Sequence, residues 1–256
     1  DSHVFCRTNQ IKDAFLKIWD IVDTFYKTFG FTLRVRLSFR DPKAMEKYLG
    51  TKEIWDMAEG ELRDIAEKRG ADYFEGPGEA ALYGPKLDFM AKNSAGREWQ
   101  VATIQLDMNL PERFDLTCVN EKGEKERIVM IHSAITGSIE RCTAILIEHF
   151  EGNFPTWLCP TQVKVIPVRE NHNEYAQKVF ELLKENHIRA ECDNADENLG
   201  TKVRDAKTNK LPYWIVLGDK EVESGKATLE SRGGEKVEIS QDELVKKLLE
   251  EINSKK

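Results

Sequence analysis

Residues 127–141, Arg127-Ile128-Val129-Met130-Ile131-His132-Ser133-Ala134-Ile135-Thr136-Gly137-Ser138-Ile139-Glu140-Arg141, carry an apolar strand into an amphipathic helix. Arg127 to Ile131 predict the strand, and Ile139, Ala144, Ile145, Leu146 and Phe150 recur after it at near-helical spacing. Gly137 at the junction lets the backbone approach a ligand closely, and Glu140 suits the positive end of the helix dipole. An imidazole, a hydroxyl and a guanidinium thus gather around one helix N-terminus, where Arg141 can face a phosphate. An ordinary capped helix has the same pattern, so the neighbouring segments decide.

Upstream, Thr8 predicts the cap of a long helix. Its apolar positions Ile11, Phe15, Ile18, Trp19, Val22, Phe25, Tyr26 and Phe29 recur at three and four, and Gly30 ends it. Residues 31–39 alternate strictly and predict a half-buried strand. A second helix spans roughly residues 52–68, with Ile54, Trp55, Ala58, Leu62 and Ile65 inward and Gly70 after it. Strands around 86–91, 98–108 and 115–120, with a turn at Lys122-Gly123 leading back into the strand before His132, imply an antiparallel sheet under helices.

The punctuation changes at Glu151-Gly152-Asn153-Phe154-Pro155, after which strands alternate with helices. Strands are predicted over 162–168, 188–192, 212–217, 227–231 and 236–239, and helices over 174–185, 201–209 and 242–252. The expected architecture is α/β in two domains. Residues 1–153 form an α+β domain on an antiparallel sheet, and residues 154–256 form a small α/β domain with a mixed sheet.

A chain of 256 residues can hold two cores, and its 40% hydrophobic content contains no apolar run of membrane-spanning length. Neither a signal peptide nor a transit segment opens it, and the lack of an initial Met suggests a piece of a larger protein. Cys6, Cys118, Cys142, Cys159 and Cys192 are scattered singly without a CxxC pair. That pattern argues for reduced, structural thiols and a cytoplasmic location. A net charge of −7 weighs against nucleic-acid binding unless cations cluster locally.

Five blocks stand in order along the chain: Asp1-Ser2-His3-Val4-Phe5-Cys6, Tyr83-Gly84-Pro85-Lys86-Leu87-Asp88-Phe89, Trp99 to Asp107, His132 to Arg141, and Gly218-Asp219-Lys220-Glu221-Val222-Glu223-Ser224-Gly225. In this order the chain resembles the C-terminal part of the threonyl-tRNA synthetases, a class II aminoacyl-tRNA synthetase family. The resemblance implies an incomplete class II catalytic domain followed by an anticodon-binding domain.

It also implies roles. His3 and His132 match the histidines that hold a zinc ion together with a cysteine lying earlier in the protein, and Cys6 does not take that cysteine's place. Asp1, Tyr83, Gln105 and Ser138 match positions lining the threonine pocket. Gln100, Thr103 and Arg141 match ATP-side residues, with Arg141 and Gln100 expected to serve the reaction itself. Lys220 and Glu221 match residues that read anticodon bases. Zinc as cofactor, ATP with Mg2+ and threonine as substrates, tRNA(Thr) as partner and a homodimer of the full-length protein follow as expectations. Selectivity against valine would follow from a site built around the threonine hydroxyl.

On a regular strand, Gln100 has the opposite parity to Thr103 and Gln105, so all three share a ligand only if the strand bulges. The bland readings remain open at this point: His3 as a strand-end residue, Tyr83 as a turn aromatic, and Lys220-Glu221 as a charged turn.

The chain also departs from the family it resembles. The motif 1 elements, the motif 2 arginine and the editing region are missing, so these residues alone are expected not to form threonyl-adenylate. Ser133 stands where arginine is usual, Val101 and Ala102 replace smaller or polar residues, Ala195 and Asn198 stand where basic residues are usual, and Glu230 stands in place of arginine. The alternative to a ligase fragment is a noncatalytic tRNA-binding or regulatory paralogue retaining the fold, and a third reading is an α/β protein with no RNA partner.

Overall fold

A computed structural model describes residues 1–93 and 96–255, and the chain divides into two units, Asp1–His149 and Phe150–Lys256. In the first unit the strand β1 (Ser2–Arg7) precedes the helix α1 (Ile11–Thr28). The strand β2 (Leu33–Phe39), the helix α2 (Lys52–Arg69) and the strands β3 (Tyr73–Pro77), β4 (Lys86–Lys92) and β5 (Glu98–Asp107) follow. The unit ends with a short helix α3 (Asn109–Arg113), the strands β6 (Thr117–Val119) and β7 (Lys125–Ala134), and the helix α4 (Ile139–Phe150).

The strands form one sheet in the order β1-β7-β5-β4-β2-β3, with β6 paired to β7. Every pairing is antiparallel except that of β2 with β3. The expected antiparallel sheet is therefore corrected to a mixed one. The parallel pair follows from α2, which carries the chain back across the sheet as a crossover connection. β3 is missed in the sequence because Gly76 and Pro77 break a five-residue pattern.

Strand alternation gives the sheet two unlike faces. One carries Val35, Leu37, Phe39, Leu87, Phe89, Ile104, Leu106 and Ile131, all 4% exposed or less. Trp19 of α1 meets the Phe89 ring edge-on at 5.3 Å, and Arg63 of α2 lies over the Phe39 ring, which places both helices on this face. The other face carries Arg36, Ser38, Lys86, Asp88, Thr103, Gln105 and His132.

Residues Thr8–Gln10 form a 3-10 turn before α1, and no side chain caps the helix, so Thr8 does not hold the role expected of it. α2 behaves as its sequence predicts: Thr51 caps its start, and Gly70 ends it in the left-handed region at φ 65°.

The second unit holds the strands β8 (Val163–Pro167), β9 (Ala190–Cys192), β10 (Tyr213–Leu217), β11 (Lys226–Ser231) and β12 (Lys236–Ser240). Its helices are α5 (Asn173–Glu185), α6 (Leu199–Thr208), α7 (Asp219–Ser224) and α8 (Gln241–Ser254). The sheet order is β12-β11-β10-β8-β9, parallel where β8 meets β9 and β10 and antiparallel elsewhere. Val165, Ile215, Leu217 and Leu229 pack against Val179, Leu183, Leu244 and Leu248 of α5 and α8. A smaller cluster of Ile166, Ala206, Leu211 and Trp214 involves α6.

Candidate functional site

The polar face of the first sheet is organised by register. Ser38 pairs with Lys86, Lys86 with Gln105, Gln105 with His132 and His132 with His3, so these five residues form one row across five strands. His3 and His132 are thus direct cross-strand neighbours, with ring centroids 4.7 Å apart at 78°. Two imidazoles sharing a tetrahedral zinc ion place their centroids about 5 Å apart. The separation of the two rings is close to that value. Among the described residues, no group of three His, Cys, Asp or Glu side chains could hold a metal.

Tyr83 closes one side of this end, its ring centroid 5.4 Å from that of His132. The turn carrying it is pinned to β5 and to the start of α3: Gln105 Nε2 donates to the Gly84 carbonyl at 3.2 Å, Leu106 N to that of Pro85 at 3.1 Å, and Asn109 Nδ2 to that of Tyr83 at 2.9 Å. A Cβ at position 84 would lie 1.9 Å from the Leu106 carbonyl oxygen, so glycine is required by close approach.

Asp107 is fully buried, and sequence reasoning misses it as a site residue. One carboxylate oxygen accepts from Asn109 N and Leu110 N, both at 2.9 Å, and the other lies 2.9 Å from His132 Nε2. The signal in the sequence is a carboxylate at the end of an otherwise buried strand, which must find partners.

At the other end, the parity conflict is resolved by a bulge. Phe89 pairs with Ala102 but Met90 pairs with Gln100, so Val101 is the extra residue. Gln100 and Thr103 consequently share a face. Gln100 Nε2 donates to Asp88 at 2.8 Å and to Thr103 Oγ1 at 2.9 Å, while its Oε1 accepts from Arg36 at 2.9 Å. Thr103 Oγ1 donates to Asp88 at 2.7 Å, Ser38 Oγ to Asp88 at 2.6 Å, and Arg36 to Asp88 at 3.0 Å. Asp88 is fully buried and sits at the centre of these bonds. Arg36, Ser38, Lys86 and Asp88 escape the sequence reading, although Lys86-Leu87-Asp88 places two charges on one face of a strand.

Arg141 reaches the same end: its guanidinium donates to the Gln100 carbonyl at 2.7 Å and lies 5.8 Å from the Trp99 ring centroid. Ser138 is exposed and accepts from Arg141 N at 3.2 Å, capping the start of α4. Gly137 before it has φ 62°. Asp1 is exposed and directly precedes β1. Ser133 is 3% exposed, faces away from His132, and lies with its hydroxyl 2.7 Å from that of Ser2. Its position therefore does not line this face. Cys6, paired with Val129, lies on that buried side as well.

In the second unit, Lys220 and Glu221 lie in the first turn of α7 rather than in a loop. Lys220 pairs with Glu238, while Glu221 accepts from Gly218 N at 2.9 Å and Thr228 Oγ1 at 2.7 Å. Buried His172 holds the same turn through Asp219, with Nε2 to Oδ1 at 2.8 Å. That bond is the main cause that holds the Asp219 carboxyl below the usual range. Asn198 caps α6 by accepting from Thr201 N at 3.0 Å, which accounts for an asparagine there. Glu230, 7% exposed and paired with Lys236 at 2.5 Å, lines a cavity of about 600 Å³ with Glu221, Trp214 and Lys207.

All five cysteines are free. Burial pushes the thiols of Cys6, Cys142, Cys159 and Cys192 up, which suits structural residues. Among the described residues, no helix is long and apolar enough to cross a membrane.

Known proteins bear on this arrangement. Residues 1–150 match the tRNA synthetase class II core domain (G, H, P, S and T), and residues 162–251 match an anticodon binding domain. Threonine-tRNA ligase of Caldanaerobacter subterraneus subsp. tengcongensis is 46% identical over 100% of this chain, which corresponds to 39% of that relative. The ligase of Clostridium tetani is 47% identical over the same shares. The chain thus spans about two fifths of the length of these relatives. The crystal structure of the RNA binding domain of threonyl-tRNA synthetase from Cryptosporidium parvum Iowa II superposes with a TM-score of 0.89 at 34% identity, covering 97% of this chain and 62% of that one. The chain therefore belongs to the class II tRNA synthetases of the G, H, P, S and T group, and along its whole length it is similar to the threonine-tRNA ligases.

Proposed function

We propose that the chain is the catalytic-core and anticodon-binding part of an enzyme that ligates threonine to tRNA(Thr) at the expense of ATP. The cross-strand pairing of His3 with His132, beside Gln105 and Tyr83, carries this reading.

In the first step a threonine carboxylate oxygen attacks the α-phosphorus of ATP, bound with Mg2+, and pyrophosphate leaves. In the second, a terminal ribose hydroxyl of the tRNA attacks the carbonyl carbon, and AMP leaves. Both steps depend mainly on positioning and charge neutralisation. Tyr83, Gln105 and Asp1 would orient threonine, with Ser138 at the helix start. Arg141 would face the nucleotide, and its hydrogen bond to the Gln100 carbonyl keeps the guanidinium at the bulge. Gln100 and Thr103 use their side chains on Asp88 and on each other, so their part in binding ATP is to shape that end.

His3 and His132 would hold zinc together with a third ligand from outside residues 1–256. Bound there, the ion supplies coordination to the amino group and hydroxyl of threonine, which valine cannot match. Lys220 and Glu221 would read the anticodon after exchanging their internal partners for base edges, as single-stranded RNA recognition requires. A cytoplasmic homodimer completes the reading.

Threonine-dependent pyrophosphate exchange tests it. The complete protein carrying this chain should catalyse the exchange, and residues 1–256 alone should not. A complete protein that binds tRNA(Thr) without exchange would establish the noncatalytic alternative instead.

A further inference from the structure

We propose that Asp107 is a positioning residue that sets the tautomer of His132, making Nδ1 the nitrogen offered to a divalent metal ion. The inference rests on the zinc reading above but stands on geometry of its own.

Asp107 is the last residue of β5 and has no exposed surface. Two backbone N–H groups at the start of α3 occupy Oδ1, and His132 Nε2 lies 2.9 Å from Oδ2. A carboxylate offers only acceptors, so the imidazole is the donor and Nε2 carries its proton. In a neutral ring the lone pair then belongs to Nδ1. The remaining ring environment restrains rotation. His3 stands against it edge-on at 4.7 Å, and Tyr83 lies at 5.4 Å on a turn held against β5 by the close approach of Gly84 and two hydrogen bonds and against the start of α3 by a third.

Asp107 is itself fixed, because moving its carboxylate would release two N–H groups of the α3 turn. A histidine held in this way needs no reorganisation to accept a ligand on its free nitrogen. A carboxylate behind an imidazole also raises the basicity of the opposite nitrogen. The alternation of β5 contributes as well. Gln105 and Asp107 share the polar face, so one strand supplies both the anchor of the Tyr83 turn and the orienter of His132.

The test is imidazole 15N–1H correlation spectroscopy on the metal-free chain, at a pH where its histidines are neutral. His132 should show protonated Nε2 and a pyridine-like Nδ1. Asp107→Asn should abolish that preference. In the complete protein, the same substitution should weaken zinc about ten- to a hundredfold, read by competition with a chromophoric chelator.

A wild-type spectrum with protonated Nδ1 overturns the proposal and needs no variant to fold. So does an Asp107→Asn protein that keeps both tautomer and zinc affinity. If the wild-type complete protein binds no zinc, the metal reading fails, and the tautomer measurement shows separately whether Asp107 orients His132.

Discussion

Tyr26 and Val101 are joined by a hydrogen bond of 2.9 Å from the phenol to the carbonyl of the bulged residue. The same hydroxyl lies 2.8 Å from the Ile135 carbonyl. A buried helix side chain thus ties down both the irregularity that brings Gln100 onto the polar face and the segment leading to Arg141. Burial pushes the Tyr26 phenol well above its ordinary value, so it remains a donor across the physiological range.

Tyr26→Phe removes the one donor that the two carbonyls share. A loss of about 1–3 kcal/mol is expected, measured by urea unfolding. Nucleotide affinity in the complete protein should fall as well, because the bulge shapes the surroundings of Arg141. Unchanged stability would show that the bulge holds itself.

Gly84→Ala should be more damaging. The new methyl meets a backbone carbonyl at 1.9 Å, and neither β5 nor the turn can yield without breaking the bonds that hold Tyr83. A stability loss of at least about 2 kcal/mol is expected by denaturant titration, and, on the proposed function, weakened threonine binding by the complete protein.

The second unit has an acid-sensitive ion pair. Burial works to raise the Asp193 carboxyl, but Lys164 at 2.8 Å and the Ala195 N–H outweigh it and hold the group below its usual value. A depressed folded-state pKa contributes stability above the unfolded value, near 4, and that stability is lost as pH falls through the folded value. Lys164→Met should therefore destabilise the chain at neutral pH but much less near pH 2. Melting curves across that range test the sign, and a pH-independent loss would assign the effect to packing.

Lys220→Ala removes an exposed partner of Glu238, and exposed pairs contribute little to stability. The melting temperature should stay the same. If Lys220 meets RNA, an anticodon stem-loop should bind more weakly, and if the contact is to phosphate the salt slope should drop by about one.

Much of the architecture is legible locally. The three-and-four spacing from Ile11 to Phe29 marks α1, the alternation of residues 31–39 marks β2, and Gly70 marks the end of α2. Each depends on neighbours in sequence, which periodicity records well. Even the parity conflict at Gln100 can be stated from sequence, with a bulge as one resolution. Which residue is extruded cannot be read there, because that depends on Phe89 and Met90 of the next strand.

Other elements resist for similar reasons. β3 has only five residues, with glycine and proline among them, and its parallel partner lies beyond a whole helix. α7 is too short for a helical period to be recognised between Gly218 and Gly225. Ser133 reads in sequence as a missing phosphate partner, whereas pairing with Ile104 and Ser2 turns it inward.

The order of blocks and the residue types in them determined the family and two α/β units, since both depend on local composition and on motif order. Tertiary structure alone decided the row from Ser38 to His3, the burial of Asp88 and Asp107, and the face on which each polar residue stands. The physical reason is register: cross-strand pairing joins residues as far apart as His3 and His132, and a shift of one position would have sent every side chain of a strand to the opposite face.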